Sequence, residues 1–217
     1  MSIKNIIAGS RKAASKYFLF LMAFACIISM ASCSESDDDT EDEYENWAER
    51  NDKYFNSIYT QAETAIKSGD DSWKIIPTYT KDSLTAKAKT DFIVAHVETK
   101  GTGTVSPIYT DTVSIHYRGY YMPTDSYAEG KQFDSSWTGD YNLKTMKPTG
   151  NYVYSYLSGF TTALMNMHKG DRWTVYIPYT LGYGVTDNKG IRGCSTLRFD
   201  LTLVEFARKG EKFPTYQ

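Results

Sequence analysis

The residues of this sequence that are best suited to chemistry are aromatic and apolar, with very few polar members. His96, His116 and His168 are not spaced from one another or from acidic residues as metal ligands are. The sequence has no Gly-x-Ser-x-Gly motif, and Cys194 has no evident base. Hydrolysis, covalent catalysis and metal chemistry are therefore poor interpretations, and no cofactor is expected. The set that remains is Tyr117, Phe133, Asp134, Phe160, Tyr183, Ile191 and Phe199.

This set is typical of a hydrophobic core as well as of a ligand pocket, so the elements that carry it matter. Residues 157–199 are predicted to form a short helix, a strand, a glycine-rich loop with Tyr183 and a second strand. The helix is expected from Ser158 to His168, with Gly170 as a left-handed cap. Pro178 should end the first strand.

Upstream of that unit, from Asp91 onwards, the hydrophobic pattern has a period of two. Roughly five strands with one late helix favour an α+β fold, in which an antiparallel sheet wraps over the helix. Residues 72–90 have weak periodicity and are predicted to be a connector. His116 is expected to be a surface or sheet-packing histidine. The upstream strands are predicted at 92–97, 112–117, 132–137 and 152–156.

An amphipathic helix is expected before this domain. Thr40 and Glu43 have the spacing of a capping box, and Ser68-Gly69-Asp70-Asp71 should end the helix. The apolar stripe could pack on the main domain or on a second copy. A helix lying on a membrane is less favoured, because the polar face lacks an excess of Lys and Arg. The stripe consists of Trp47, Tyr54, Ile58, Ala62 and Ala65.

The N-terminus has the layout of an export signal. Four basic residues precede an apolar run over 17–32. The alternative interpretation is a permanent membrane-spanning helix, for which this run is short. Met30-Ala31-Ser32-Cys33 resembles a bacterial lipobox, in which Cys33 would be acylated; an ordinary cysteine beside a signal is the alternative. Residues 34–45 hold eight acidic and no basic residues, and resemble the acidic tag of surface lipoproteins or a solvated linker. The chain lacks a basic footprint for nucleic acid.

Six collinear segments carry a more specific resemblance. Over roughly residues 91–206 the chain resembles the FKBP-type peptidyl-prolyl isomerases, and the helix behind an acylated cysteine is similar to FKBP lipoproteins of Bacteroidetes. The segments are Val113-Ser-Ile-His-Tyr-Arg-Gly119, Gly130-Lys-Gln-Phe-Asp-Ser-Ser136, Leu157-Ser-Gly-Phe160, Met167-His-Lys-Gly-Asp-Arg172, Ile177-Pro-Tyr-Thr-Leu-Gly-Tyr-Gly184 and Ser195-Thr-Leu-Arg-Phe-Asp200.

The resemblance implies a proline pocket and a role for each site residue. Phe160 would be its floor, where well-known members have Trp, and Tyr183 would hydrogen-bond the carbonyl of bound peptide. Asp134 would be the polar wall residue, and Leu157 would offer its backbone N–H. Ile191 would close the rim, where Arg192-Gly193 replaces the usual Pro-Pro. The apolar walls would be Tyr117, Phe133 and Phe199.

The expected function is rotation about Xaa-Pro bonds in exported or unfolded client proteins, outside the inner membrane. The resemblance implies FK506-type macrolides as possible ligands. It also implies that a lipid anchor holds the protein in the cell envelope, at the outer membrane or the cell surface. Two alternatives stay open: a non-catalytic binding module or chaperone, and a glycan-binding surface lipoprotein, suggested by 18 Tyr and 4 Trp. The predicted organisation is a signal peptide (1–32), an acylated cysteine and acidic tether (33–45), a helix and connector (46–90), the isomerase domain (91–208) and a tail (209–217).

Overall fold

The computed structural model describes residues 43–213, which form two helices and an antiparallel sheet of seven strands. The fold class is therefore α+β, as predicted, with one helix that precedes the strands in the sequence. The elements are α1 (Trp47–Lys67), β1 (Trp73–Pro77), β2 (Phe92–Thr99), β3 (Thr112–Tyr120), β4 (Gln132–Ser135), β5 (Thr149–Tyr152), α2 (Ser158–Leu164), β6 (Arg172–Ile177) and β7 (Leu197–Ala207).

The sheet runs in the order β1-β2-β6-β7-β3-β4, and β5 also pairs with β3. The helix α2 packs against β2 and β6. A close approach at Gly159 makes this packing possible, because a Cβ atom there would lie 2.3 Å from Cγ2 of Ile177. The side chains of Phe160 and Leu164 are buried in the main core, together with Ile177.

The helix α1 packs on the main domain, which was one of the two predicted possibilities. Phe55 and Ala62 of α1 are buried with Val94 of β2 in a second apolar cluster. Val94 faces Ile75 of β1 and Tyr176 of β6 in register across the sheet. Since α1 and α2 both contact β2, Ile93, Val94 and Ala95 are all fully buried, and this part of the strand is apolar on both faces.

Hydrogen bonds connect the first turns of α1 to the segment that precedes β7. The side chain of Asn51 is fully buried, and its Oδ1 accepts a hydrogen bond from the Thr196 N–H at 2.8 Å. Its amide nitrogen donates to the Trp47 carbonyl at 2.7 Å. The Trp47 indole N–H donates to Oγ of Ser195 at 3.0 Å. The predicted stripe did not include Asn51, whose buried amide has both its oxygen and its nitrogen hydrogen-bonded.

Three predicted elements need correction. The connector over 72–90 contains a strand, β1, in which all five residues are half-buried, so that no alternation marks it. The strand expected over 152–156 ends at Tyr152 and continues as a 3₁₀ turn. The helix expected to reach His168 ends at Leu164, although Gly170 does have left-handed backbone, with φ of 89°.

His116 is buried, so the surface alternative for this residue is wrong. Its ring lies edge-on to Trp137 at 6.2 Å between centroids. Burial lowers the pKa of His116, because the charged imidazolium is poorly solvated there. The histidine therefore acts in sheet packing.

Several predictions concern residues outside the described range. The signal peptide, Cys33 and most of the acidic segment belong there, as does Thr40 of the capping box; the helix itself begins at Trp47. Within residues 43–213, neither helix is long and apolar enough to cross a membrane.

The Asn51 contact predicts a loss of stability on truncation of this side chain. Asn51→Ala should lower the free energy of unfolding by about 1–3 kcal/mol, because the buried Thr196 N–H would lose its acceptor. Urea denaturation followed by circular dichroism measures this difference. Asn56→Ala is the control, since Asn56 is exposed on the same helix. Equal stabilities of the two variants would contradict the role of Asn51.

Candidate functional site

Phe160, in the first turn of α2, and four other aromatic rings form one cluster, which we name the aromatic pocket. The Phe160 side chain is buried, and its ring meets Phe199 edge-on at 5.0 Å and Tyr117 at 5.9 Å. Tyr156 stacks on Phe160 at 4.9 Å with 24° between the ring planes. The pocket consists of Tyr117, Phe133, Tyr156, Phe160 and Phe199.

Three different strands bring the walls of this pocket together. Tyr117 lies on β3, Phe133 on β4 and Phe199 on β7. Phe133 and Phe199 meet edge-on at 5.7 Å, and the space for this contact exists because Gly119 lies between them on β3. A Cβ atom at Gly119 would lie 2.6 Å from Phe133 and 2.7 Å from Phe199. Glycine is therefore required at this position of the strand.

Polar groups at the edge of the pocket are few. The Tyr117 hydroxyl donates to Oδ2 of Asp134 at 2.9 Å, so that Asp134 fixes the orientation of this ring. Burial, together with this hydrogen bond, raises the pKa of Tyr117. Burial also raises the pKa of Tyr183, and the negative charge of Asp134 adds to the effect. Both hydroxyls are therefore protonated near neutral pH and can donate.

One backbone donor beside the pocket has no partner among residues 43–213. The N–H of Leu157 makes no hydrogen bond there, whereas its carbonyl accepts from the Thr161 N–H at 2.8 Å. Leu157 is half-buried and packs against the core next to Phe160. This N–H is available to a ligand carbonyl.

The segment 182–196, which we name the rim loop, is held by its own hydrogen bonds. Ile191 is buried and exchanges two backbone bonds of 2.9 Å with Asn188. The Gly193 N–H donates to Asp187 Oδ1 at 2.9 Å, and the Cys194 N–H to the Gly184 carbonyl at 2.9 Å. These contacts order the loop although Arg192 and Gly193 replace the prolines that the family resemblance implies.

Trp47 of the predicted stripe and Tyr121, which sequence reasoning missed, connect α1 to this region. The Trp47 ring lies edge-on to Tyr121 at 5.8 Å, and Tyr121 contacts Phe133 at 5.2 Å. The Tyr121 hydroxyl accepts from the Arg192 N–H at 3.2 Å. Tyr121 lies one residue beyond the end of β3, after a register shift in the pairing with β4, so the period of two gave no signal for it.

The structure thus brings together most of the predicted site residues. Tyr117, Phe133, Phe160 and Phe199 share one cluster, with Asp134 bonded to Tyr117. Tyr156 was missed as a pocket residue, since it was assigned to a strand; its place immediately before the predicted Leu157 was the available signal. Tyr183 lies close enough to Asp134 to be affected by its charge, and Ile191 lies in the rim loop. Leu157 lies immediately before α2. Cys33 lies outside the described residues.

Sequence comparison identifies relatives of this region. A model of the family described as FKBP-type peptidyl-prolyl cis-trans isomerase matches residues 103–204. The chain is 35% identical over 113 residues to the macrophage infectivity potentiator of Trypanosoma cruzi, covering 52% of each protein. It is 35% identical over 95 residues to FK506-binding protein 2 of Aspergillus fumigatus, covering 44% of this chain and 64% of the relative. FkpA of Escherichia coli K12 is 32% identical over 100 residues, 46% of this chain and 33% of the relative. The chain thus spans between a third and two thirds of these relatives' lengths.

Solved structures show the same fold. The crystal structure of FkpA from Escherichia coli has a TM-score of 0.53 and 22% identity, covering 96% of this chain and 83% of that one. A peptidyl-prolyl cis-trans isomerase from Pseudomonas syringae pv. tomato has a TM-score of 0.51 and 22% identity, covering 78% and 99%. These structures show the fold alone, whereas the family model and the matched motifs identify residues 103–204 as a domain of the FKBP-type peptidyl-prolyl cis-trans isomerase family.

Proposed function

We propose that this chain catalyses cis-trans isomerisation of Xaa-Pro bonds in exported or unfolded polypeptides, by a non-covalent mechanism. The observation that carries the proposal is the aromatic pocket around Phe160, with its unpaired Leu157 N–H and the protonated Tyr183 hydroxyl at its edge. Such a site offers a proline ring an apolar enclosure and offers the flanking peptide two donors.

The physical reason lies in the amide bond. Its rotation crosses a barrier of ~18–20 kcal/mol that arises from resonance. The twisted amide has lost that resonance and much of its polarity, so an apolar site favours it relative to the planar form. Only such a differential effect accelerates a reaction. The reaction therefore needs neither a nucleophile nor a proton transfer from a side chain.

Each residue has a defined part in this proposal. Phe160 is the floor beneath the proline ring, and the other rings of the aromatic pocket are its walls. Leu157 N–H holds one substrate carbonyl and Tyr183 donates to another. The Tyr117 hydroxyl is committed to Asp134, so this pair orients the wall. Ile191 closes the rim.

We also propose that FK506-type macrolides occupy this pocket, because a relative of the domain is named for binding FK506 and the walls are aromatic. A non-catalytic binding module would use the same pocket without accelerating isomerisation. An assay of cis-trans relaxation of a short Xaa-Pro peptide separates the two functions. Wild-type protein that leaves the relaxation rate unchanged would exclude the enzyme function.

The floor residue gives the first test. Phe160→Leu should lower kcat/KM by about tenfold or more, because the ring face under the proline is lost, which corresponds to roughly 1.4 kcal/mol of transition-state stabilisation. Phe55→Leu is the matched control, since Phe55 is equally buried but lies in the cluster between α1 and the sheet. We expect both variants to lose a similar amount of stability, and only Phe160→Leu to lose activity. An unchanged kcat/KM for Phe160→Leu would contradict the assigned floor.

The hydroxyl of Tyr183 gives the second test. Tyr183→Phe should lower kcat/KM by about three- to tenfold, as expected for one hydrogen bond with a net value of ~0.5–1.5 kcal/mol. The same peptide assay measures it. Tyr59→Phe, in the cluster at α1, should leave kcat/KM unchanged. Equal rates for Tyr183→Phe and wild type would show that this hydroxyl does not bind the substrate.

We further propose that the chain is exported and anchored in the cell envelope, at the outer membrane, through lipid on Cys33. The support is the lipobox-like Met30-Ala31-Ser32-Cys33 and the acidic segment that follows it. Metabolic labelling with a radioactive fatty acid should mark the wild-type chain and Cys194→Ser, but not Cys33→Ser. Label in Cys33→Ser, or none in wild type, would contradict acylation at this position.

A further inference from the structure

Four tyrosines form a continuous exposed row on this domain. Tyr79, Tyr109, Tyr154 and Tyr152 follow one another with ring centroids 5.3, 5.7 and 5.0 Å apart. Each has between 37% and 46% of its surface exposed. We name this surface the tyrosine row. Three separate segments of the chain contribute to it: the loop after β1, the loop before β3, and the end of β5 with its 3₁₀ turn.

The chemistry of the row is amphipathic and uncharged. The segments that carry the tyrosines, 78–80, 105–110 and 149–156, contain no charged residue. Val105 and Ile108 add exposed apolar surface in the same segments, with 52% and 51% exposure. Exposed tyrosine is enriched in interfaces because it combines a large apolar face with a hydroxyl and has little conformational freedom to lose. The row therefore has the composition of a binding surface.

The orientation of the rings restricts the partner. Tyr152 and Tyr154 stack on each other with 8° between their planes, and the other two pairs are inclined by only 31° and 43°. Stacked rings cover part of each other's faces, which is unlike the open ring face on which a sugar stacks. A row of neighbouring aromatic rings suits an extended proline-rich chain, whose polyproline II backbone docks against aromatic side chains.

The row is also continuous with the aromatic pocket along the chain. Tyr154 lies two residues before Tyr156, which stacks on the Phe160 floor, and three residues before Leu157, whose N–H is unpaired. A peptide bound at Leu157 has this segment directly beside it. Four rings at these spacings match roughly five residues of polyproline II, at 3.1 Å per residue.

We propose that the tyrosine row is a docking surface for an extended, proline-bearing segment of the same polypeptide whose Xaa-Pro bond enters the aromatic pocket. This inference rests on the proposed isomerase function. It assigns a substrate preference: long proline-rich clients bind more tightly than short peptides that fill the pocket alone.

Kinetics on two substrates test the inference. One is a tetrapeptide with a single Xaa-Pro bond, and the other is a peptide of about fifteen residues with further prolines on both sides of that bond. In the double variant Tyr109→Ser/Tyr154→Ser, KM for the long peptide should rise about tenfold, whereas kcat/KM for the tetrapeptide should not change. The tetrapeptide rate also verifies that the variant is folded. Tyr127→Ser, at a tyrosine of 43% exposure outside the row, should behave as wild type.

The conservative variant Tyr109→Phe/Tyr154→Phe should retain most of the affinity for the long peptide, because the rings remain. An equal loss of kcat/KM on both substrates, or no loss on either, would overturn the inference. A polysaccharide gel gives a further test. If the gel retains wild type but not the serine double variant, and the variant binds the long peptide as wild type does, the inference is overturned in favour of glycan binding.

Direct binding of the fluorescently labelled long peptide, followed by anisotropy, separates this inference from the proposed function. If wild type isomerises neither peptide but binds the long one about tenfold more tightly than the serine double variant does, the docking surface stands and the enzyme function fails. If both proteins bind the peptide equally, the docking surface fails whatever the isomerase assay gives.

Discussion

The edge-to-face contact of Phe199 with Phe160 is the interaction on which the rest of this structure depends. Phe199 comes from β7, near the centre of the sheet, and Phe160 from the helix that packs on it, so their contact at 5.0 Å joins the two layers at the place where the pocket forms. Phe133 and Tyr117 complete the walls by packing against Phe199. The fold and the candidate site thus share the same rings, and a single aromatic set belongs both to the core and to the proposed pocket.

The fold could be predicted from the sequence because the hydrophobic period changes where the elements change. The period of two marks the start of β2 and of β3 at the correct residues, and the apolar positions around Phe160 mark α2. The strand β1 could not be found, since every residue from Trp73 to Pro77 is half-buried and no alternation results. Long-range packing decides burial there, and a local pattern does not carry that information.

The site was predicted in part, and its omissions have a common cause. Tyr117, Phe133 and Phe199 lie in segments with a recognisable motif, whereas Tyr121 follows the end of β3 and Tyr156 follows the 3₁₀ turn after β5. The backbone at such ends departs from the period of two, so the direction of a side chain depends on the turn that follows. The tyrosine row is a stronger case of the same limit, because three distant segments must meet before the surface exists.

The attachment of α1 to the rim loop also constrains how this sequence can change. Trp47 and Ser195 are joined by one hydrogen bond, and Asn51 and Thr196 by another, each across more than 140 positions of the chain. Replacing Trp47 or Ser195 alone leaves the other polar group of that pair without its partner, whereas replacing both by apolar groups of matching shape does not. The effects of substitutions within this pair are therefore not additive. Asn51 accepts from the backbone N–H of Thr196, so its acceptor is needed whatever side chain stands at position 196. The helix and the rim loop can diverge in sequence only together, as if they were one segment.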